Sequence, residues 1–258
     1  MSETRQSNPR AASEWLTRPR PNPQARLRLF CFPYAGGNVH AFRKWPQQLP
    51  PGVEVLAAQL PGRGARMREQ PYTSVTALVE ELGVAVRPLL DRPFAFFGHS
   101  MGAIIAFELA RLLRGEGGAA PAHLFVSGRR APQIPDADPP TYNLPDAEFI
   151  EEVRRLNGTP PEVLEHPELM GLMLPLLRAD FQVVDTYRYA DGPPLGCPIS
   201  AFGGLQDFDV TREQLEAWRE QTTSGFVRRM FDGDHFFLHR AEPVLLATIA
   251  RDLHQHGV

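Results

Sequence analysis

Cysteine is almost absent from this 258-residue chain, which has only Cys31 and Cys197. Each lies within or beside a segment that reads as a buried strand, where cysteine behaves as a small apolar residue. A disulfide framework is therefore excluded, and no histidine, cysteine or carboxylate spacing of a metal site is present. Long apolar runs are lacking too, so nothing in the chain reads as a bilayer-spanning segment. The first ten residues are polar and have no apolar central stretch of the kind a secretory signal requires, which points to the cytoplasm. There is no excess of positive charge: the formal net charge is -3, and no basic stripe with interleaved aromatics occurs, which argues against nucleic acid as a partner. Internal repeats and low-complexity tracts are missing as well. What is present, 43% apolar and 22% charged residues, is the composition of a soluble globular domain long enough to bury a full core.

Residues 1–24 carry four prolines and no hydrophobic periodicity, so they read as a largely mobile tail that Trp15 and Leu16 can anchor. From residue 25 to 258 short apolar runs alternate with helical patterns, the signature of a mostly parallel sheet with helices on both faces. Strands are predicted over 27–32, 53–59, 94–98, 123–127, 199–203 and 226–231, and their nearly continuous apolar character fits burial on both faces. Helices are predicted over 39–48, 74–90, 101–113, 211–221 and 242–255, the fourth opening on a Thr211/Gln214 capping box. Residues 131–195 interrupt the alternation with a proline-rich stretch and helical patterns over 147–156 and 168–187, the second bent by Pro175. This interval reads as a helical lid inserted at the carboxyl edge of the sheet.

The segment Gly98-His99-Ser100-Met101-Gly102 has the glycine-x-serine-x-glycine form, common enough by chance to need its context. Here the apolar run Phe94–Phe97 leads straight into it and a strong helical pattern from Ala103 leaves it. Strand, sharp turn and helix are what hold a nucleophilic serine in a strained conformation above a sheet, as in the α/β-hydrolase fold. The alternative is a serine that only caps a helix. A serine nucleophile needs a base and a carboxylate to orient it, and in this fold they follow in the order serine, acid, histidine, on loops beyond later strands. His235, just past the last predicted strand, fits that order as general base. Asp207 and Asp209 share the loop after the preceding strand, and proximity to the strand end favours Asp207. For the oxyanion, one donor is expected from the amide of Met101 and the other from Ala35, in the glycine turn after the first predicted strand.

Several of these segments together resemble one family. Phe32-Pro33-Tyr34-Ala35-Gly36-Gly37, Leu60-Pro61-Gly62-Arg63-Gly64, Phe97 to Gly102, Ser127-Gly128-Arg129-Arg130-Ala131-Pro132 and Gly233-Asp234-His235-Phe236-Phe237 occur in the order found in the type II, or external, thioesterases of polyketide and nonribosomal peptide synthases. The resemblance runs from about Trp15 to the end of the chain. It implies an α/β-hydrolase fold and an editing enzyme that cleaves acyl groups from the phosphopantetheine arm of acyl or peptidyl carrier proteins, with no cofactor. The family's acid loop, Gly-Gly-x-x-Asp-x-x-Val, is matched by Gly203 to Val210 and supports Asp207, leaving Asp209 as a charge without an assigned purpose.

Beyond the triad, Arg129 and Arg130 follow a strand's carboxyl end and are candidates to meet the phosphate of the arm or acidic groups of a carrier, against the alternative of structural ion pairs. Arg63 reads as turn-stabilising. Met170 and Met173 in the lid are candidates to line an acyl chamber, although most lid apolar residues simply pack helices. Two other functions stay open on the sequence: an esterase or lipase acting on free esters, and a noncatalytic relative that binds an acyl ligand or a partner. The oligomeric state is not legible.

Overall fold

The computed structural model describes residues 14–136 and 139–255. Its strands are β1 (Leu16–Thr17), β2 (Leu27–Phe32), β3 (Val53–Ala58), β4 (Phe94–His99), β5 (His123–Ser127), β6 (Ile199–Gly204) and β7 (Phe226–Phe231). The α-helices, in chain order, are α1 (Val75–Val86), α2 (Met101–Gly115), α3 (Asp146–Arg155), α4 (Pro161–Leu164), α5 (Pro167–Asp185), α6 (Arg212–Glu216), α7 (Phe237–Arg240) and α8 (Glu242–His254).

Every residue of β2, β3 and β4 is buried, and successive side chains enter different layers because a strand presents alternate residues to opposite faces. Leu29, Cys31, Val55, Ala95 and Phe97 pack with Trp45 and with Leu245, Leu246 and Ile249 of α8. Phe30, Phe32, Leu56 and Phe96 pack with Leu78, Val79 and Leu82 of α1 and with Ile104 and Ile105 of α2. Helices thus cover both faces, which is why the strands read as nearly continuous apolar runs rather than alternating ones, broken in β2 and β3 only by Arg28 and Glu54, which pair with each other at 3.1 Å.

The sheet order is β1-β3-β2-β4-β5-β6-β7. All neighbours are parallel except β1, which runs antiparallel to β3 with Leu16 opposite Ala58. From β2 the chain moves outward to β3, then crosses back to place β4 on the other side of β2. The connections leaving β2 and β4 therefore diverge, and a crevice opens beyond their carboxyl ends, where ligands bind in open α/β sheets.

The six longer strands lie where they are predicted, to within a residue. The helices differ in instructive ways. Residues 39–48 form two short 3-10 turns, Val39–Phe42 and Trp45–Gln47, rather than one α-helix. Pro46 has no amide to donate back to Phe42, so an α-helical ladder cannot run through it. Residues 212–221 start as α6 and tighten into a 3-10 turn at Ala217–Gln221, behind the predicted capping box, in which both bonds between Thr211 and Gln214 form. Residues 1–13 lie outside the described residues, and with them most of the expected tail. The described remainder, 14–24, is held in place: Trp15 and Leu16 are buried, the Arg66 guanidinium stacks 4.0 Å over the Trp15 ring, and Asn22 bonds to Glu54 and to the Pro51 carbonyl. Cys31 and Cys197 are buried and unpaired. Among the described residues no helix is long and apolar enough to cross a membrane.

Candidate active site

Ser100 joins β4 to α2 with φ 54 and ψ -114, a left-handed backbone that a residue with a Cβ adopts only when its surroundings enforce it. Two neighbouring glycines are what permit this turn. A Cβ on Gly98 would lie 1.9 Å from the Gly102 carbonyl oxygen, and one on Gly102 would lie 2.1 Å from that of Phe32. The first turn of α2 is thus pressed against both β4 and the end of β2. The Ser100 amide donates to the Ser127 carbonyl at 2.7 Å, tying the turn to β5.

His235 and Asp207 meet at the far edge of the same crevice. The Nδ1 atom of His235 lies 2.9 Å from Oδ2 of Asp207, whose side chain is 0% exposed against 11% for the histidine. The other carboxylate oxygen accepts the amides of Asp209 and Val210 at 2.9 and 3.2 Å, so the acid is fixed from both sides. The two loops that carry the pair are stitched together: Gln206 donates its amide to the Gly233 carbonyl and accepts the Gly233 amide on its side chain. A Cβ at Gly204 would lie 2.3 Å from the Asp234 carbonyl, which accounts for the second glycine of the acid loop. Asp209 makes no bond to His235 and instead accepts from Arg155 at the end of α3, at 2.8 Å. The charge left without a purpose by the sequence is thus a contact between the acid loop and the inserted helices.

Met101 is the first residue of α2 and Ala35 lies in the turn after β2. Neither backbone amide has an acceptor among the described residues, and the α2 amino terminus adds its partial positive charge. In that turn Gly37 donates to the Tyr34 carbonyl at 2.8 Å and Gly36 has φ 74, a conformation that glycine takes without penalty.

Ser100, Ala35 and His235 all line one cavity of about 1010 Å³, which α5 roofs with Leu177, Phe181 and Val184. The stretch after β5 contributes Arg129 and Arg130. Both guanidiniums reach Asp136, at 3.9 and 2.9 Å, and burial together with the neighbouring Arg130 pushes the Arg129 pKa down to about 10. Met170 and Met173 sit elsewhere: they pack with Phe149, Val153 and Leu177 in a small core of the inserted helices and do not reach the cavity. Those helices form their own apolar cluster before they roof anything, and the flexible methionines fill it. Two other histidines lie close to this site. His99 is fully buried, with Nδ1 2.8 Å from the Ser127 hydroxyl, and burial, then the charges of His235 and His239, hold its pKa well below the usual histidine value. His239 bonds the Tyr34 hydroxyl at 2.9 Å.

Among the described residues, one group of three metal-capable side chains comes together, Asp207, Asp209 and His235, with ligand atoms within 4.8 Å. They are committed to each other, to backbone amides and to Arg155, an arrangement suited to orienting an imidazole. The residue that sequence reasoning missed is Asp180 of α5, which is buried and bonds both Arg63 and the Gly36 amide. Its signal was available: one acid within the apolar stripe of Leu177, Val183 and Val184.

Comparison with known proteins identifies the family and the fold. The thioesterase domain family matches residues 27–255. The chain is 47% identical, over 95% of both lengths, to the linear gramicidin dehydrogenase LgrE of Brevibacillus parabrevis. Among solved structures it superposes on the type II thioesterase BorB from the borrelidin biosynthetic cluster with a TM-score of 0.86 and 38% identity, covering 93% of this chain and 98% of that one. It superposes on YbtT, the type II thioesterase of the yersiniabactin NRPS/PKS pathway, with a TM-score of 0.83 and 33% identity, over 92% and 97%. The chain belongs to the thioesterase family, with an α/β-hydrolase fold, and stands with the type II thioesterases of nonribosomal peptide and polyketide pathways.

Proposed function

We propose that this thioesterase releases acyl groups from the phosphopantetheine arm of acyl or peptidyl carrier proteins, through an acyl-enzyme on Ser100. The observation that carries the reading is the strained Ser100 lining one cavity with Ala35 and with His235, which Asp207 holds at Nδ1, while the Met101 and Ala35 amides have no acceptor among the described residues. In the reaction, the Ser100 hydroxyl attacks the thioester carbonyl and His235 takes its proton on Nε2. Asp207 keeps Nδ1–H engaged and stabilises the imidazolium. The carbonyl oxygen, now an anion, accepts hydrogen bonds from the Met101 and Ala35 amides. The carbon–sulfur bond breaks, and the thiolate leaves with the proton from His235; a thiol pKa of about 8.5 makes it a good leaving group. Water, deprotonated by His235, then attacks the acyl-serine, which frees the acid and restores the hydroxyl.

The roofed cavity suits an acyl chain delivered on a flexible arm, and Arg129 and Arg130 are among the groups on its wall able to meet a phosphate or an acidic carrier surface. A cytoplasmic setting alongside a synthase goes with this reading. A redox role, suggested by the name of LgrE, has no support in the residues: the sequence contains no Gly-x-Gly-x-x-Gly run with which a dinucleotide would be held.

The test is a panel of acyl-carrier thioesters with matched oxygen esters, together with fluorophosphonate labelling. Carrier thioesters should be turned over preferentially, a single adduct should map to Ser100, and Ser100→Ala should abolish turnover while carrier binding persists. A strong preference for free esters would sink the carrier reading, and unlabelled folded protein would leave only a binding module.

A further inference from the structure

The turn that carries Ala35 ends in two consecutive glycines, the residues with most backbone freedom to lose, so something must hold it. Two charged side chains do so. Asp180 of α5 accepts the Gly36 amide at 2.7 Å, and the Gly37 carbonyl accepts from Arg63 Nη1 at 3.0 Å. The two side chains are themselves joined by a bidentate pair, 2.8 Å from Nη1 to Oδ2 and 2.7 Å from Nη2 to Oδ1. Their side chains are 5% and 3% exposed. Arg63 is anchored in its own loop, donating Nε to the Pro61 carbonyl, while its carbonyl accepts from Gln59.

A buried ion pair kept only for packing is replaceable, since apolar side chains of similar size serve a core as well or better. This pair does what apolar groups cannot: it supplies an acceptor to one glycine peptide and a donor to the next, immediately after the amide expected to face the substrate oxygen. The helix carrying Asp180 also closes on the turn sterically. A Cβ on Gly36 would lie 2.6 Å from Leu177, one turn before Asp180, and a Cβ on Gly62, beside Arg63, would lie 3.1 Å from Leu176.

We propose that Arg63 and Asp180 are positioning residues for the oxyanion hole, and that, because Asp180 rides on α5, the hole is complete only while this roof helix is seated. The proposal rests on the reading of Ala35 as second oxyanion donor and of Ser100 as nucleophile. It gives the inserted helices a part in the chemistry as well as in enclosing the acyl chain, since displacing α5 removes the clamp.

The experiment compares wild type with Asp180→Asn, Arg63→Lys and the double variant Arg63→Met with Asp180→Leu, which keeps the interior neutral and apolar. Each is assayed on an acyl-carrier thioester and a p-nitrophenyl ester. Each is also titrated with an alkyl trifluoromethyl ketone, which adds to Ser100 as an oxyanion, and with the matched methyl ketone, which binds without that charge. Loss of a whole oxyanion donor lowers kcat about 100- to 1000-fold, so loss of its support is expected to lower kcat by about tenfold to 100-fold with KM little changed. Trifluoromethyl ketone affinity should fall in parallel and methyl ketone affinity should hold.

Folded variants whose kcat and trifluoromethyl ketone affinity stay close to wild type overturn the proposal. So does loss of the thermal transition in all three, which would assign the pair to the fold alone. If wild type turns over the ester but not the carrier thioester, the substrate reading fails while the clamp is still read on the ester. Wild type that turns over neither overturns both.

Discussion

A carboxylate two residues from another in one loop offers a direct comparison of roles. Asp207 is enclosed, receives two backbone amides and faces His235 Nδ1; Asp209 is part-exposed and bonds Arg155. Asp207→Asn preserves the size but removes the charge that fixes the imidazole tautomer, and kcat should fall by about 10⁴. Asp209→Asn breaks only a surface pair, worth at most about 1 kcal/mol, so kcat should change by less than about fivefold. Steady-state kinetics on one substrate decides, and equal losses would overturn the assignment of the acid. Sequence order and proximity to β6 pointed to the member that lies against His235, because an α/β sheet delivers its functional groups at strand ends. The destination of Asp209 was not legible, because its partner Arg155 lies 54 positions away on an element whose docking no local pattern encodes. The same holds for Asp180, whose chemistry appears only when α5 is laid against the turn after β2.

At the scale of elements, the longer strands were legible because each is a short, largely apolar run bounded by turn residues, and β2 to β6 are buried along their whole length. The roof was legible only as helical pattern. Which of its faces meets the cavity depends on how α3, α4 and α5 pack on one another, and this keeps Met170 and Met173 within the helices' own cluster while Leu177, Phe181 and Val184 also reach the cavity. Those three recur at intervals of four and three along α5, one stripe of a helix. Chamber length should therefore be tunable from that stripe. Val184→Phe adds bulk where an acyl chain would lie, and excluding two methylenes at about 0.8 kcal/mol each is expected to lower kcat/KM for a decanoyl relative to an acetyl thioester by about tenfold. Competition assays with the two acyl groups on one carrier measure it; an unchanged ratio would show that the chain runs elsewhere.

For the molecule as a whole, the meeting point of its layers is His99, at the end of the central strand β4. Its ring contacts those of Tyr34, His235, Phe236 and Phe237 and its Nδ1 faces Ser127, so the segments after β2 and β7 and the end of β5 all converge on it. Burial holds both His99 and the nearby His239 below the usual histidine pKa. In the unfolded chain each takes up a proton near pH 6.5, while the folded protein binds it only at lower pH. The unfolded state therefore binds more protons as pH falls, and stability is intact above about pH 6.5 and declines below it, by up to about 1.4 kcal/mol per pH unit for the buried His99 until its folded pKa is reached and by less for His239, whose ring solvent screens. The carboxylates whose folded values are lowered, Glu69, Asp91 and Glu213, add to this loss only in more acid solution, which leaves the interval from pH 6.5 to 5 to the histidines. Urea midpoints at pH 7.5 and 5.5 should fall for wild type and fall less for His99→Gln, with His239→Gln showing a smaller relief. A wild-type midpoint that is flat across this interval, or a His99→Gln slope equal to wild type, would mean that the protonated ring is accommodated where the layers meet.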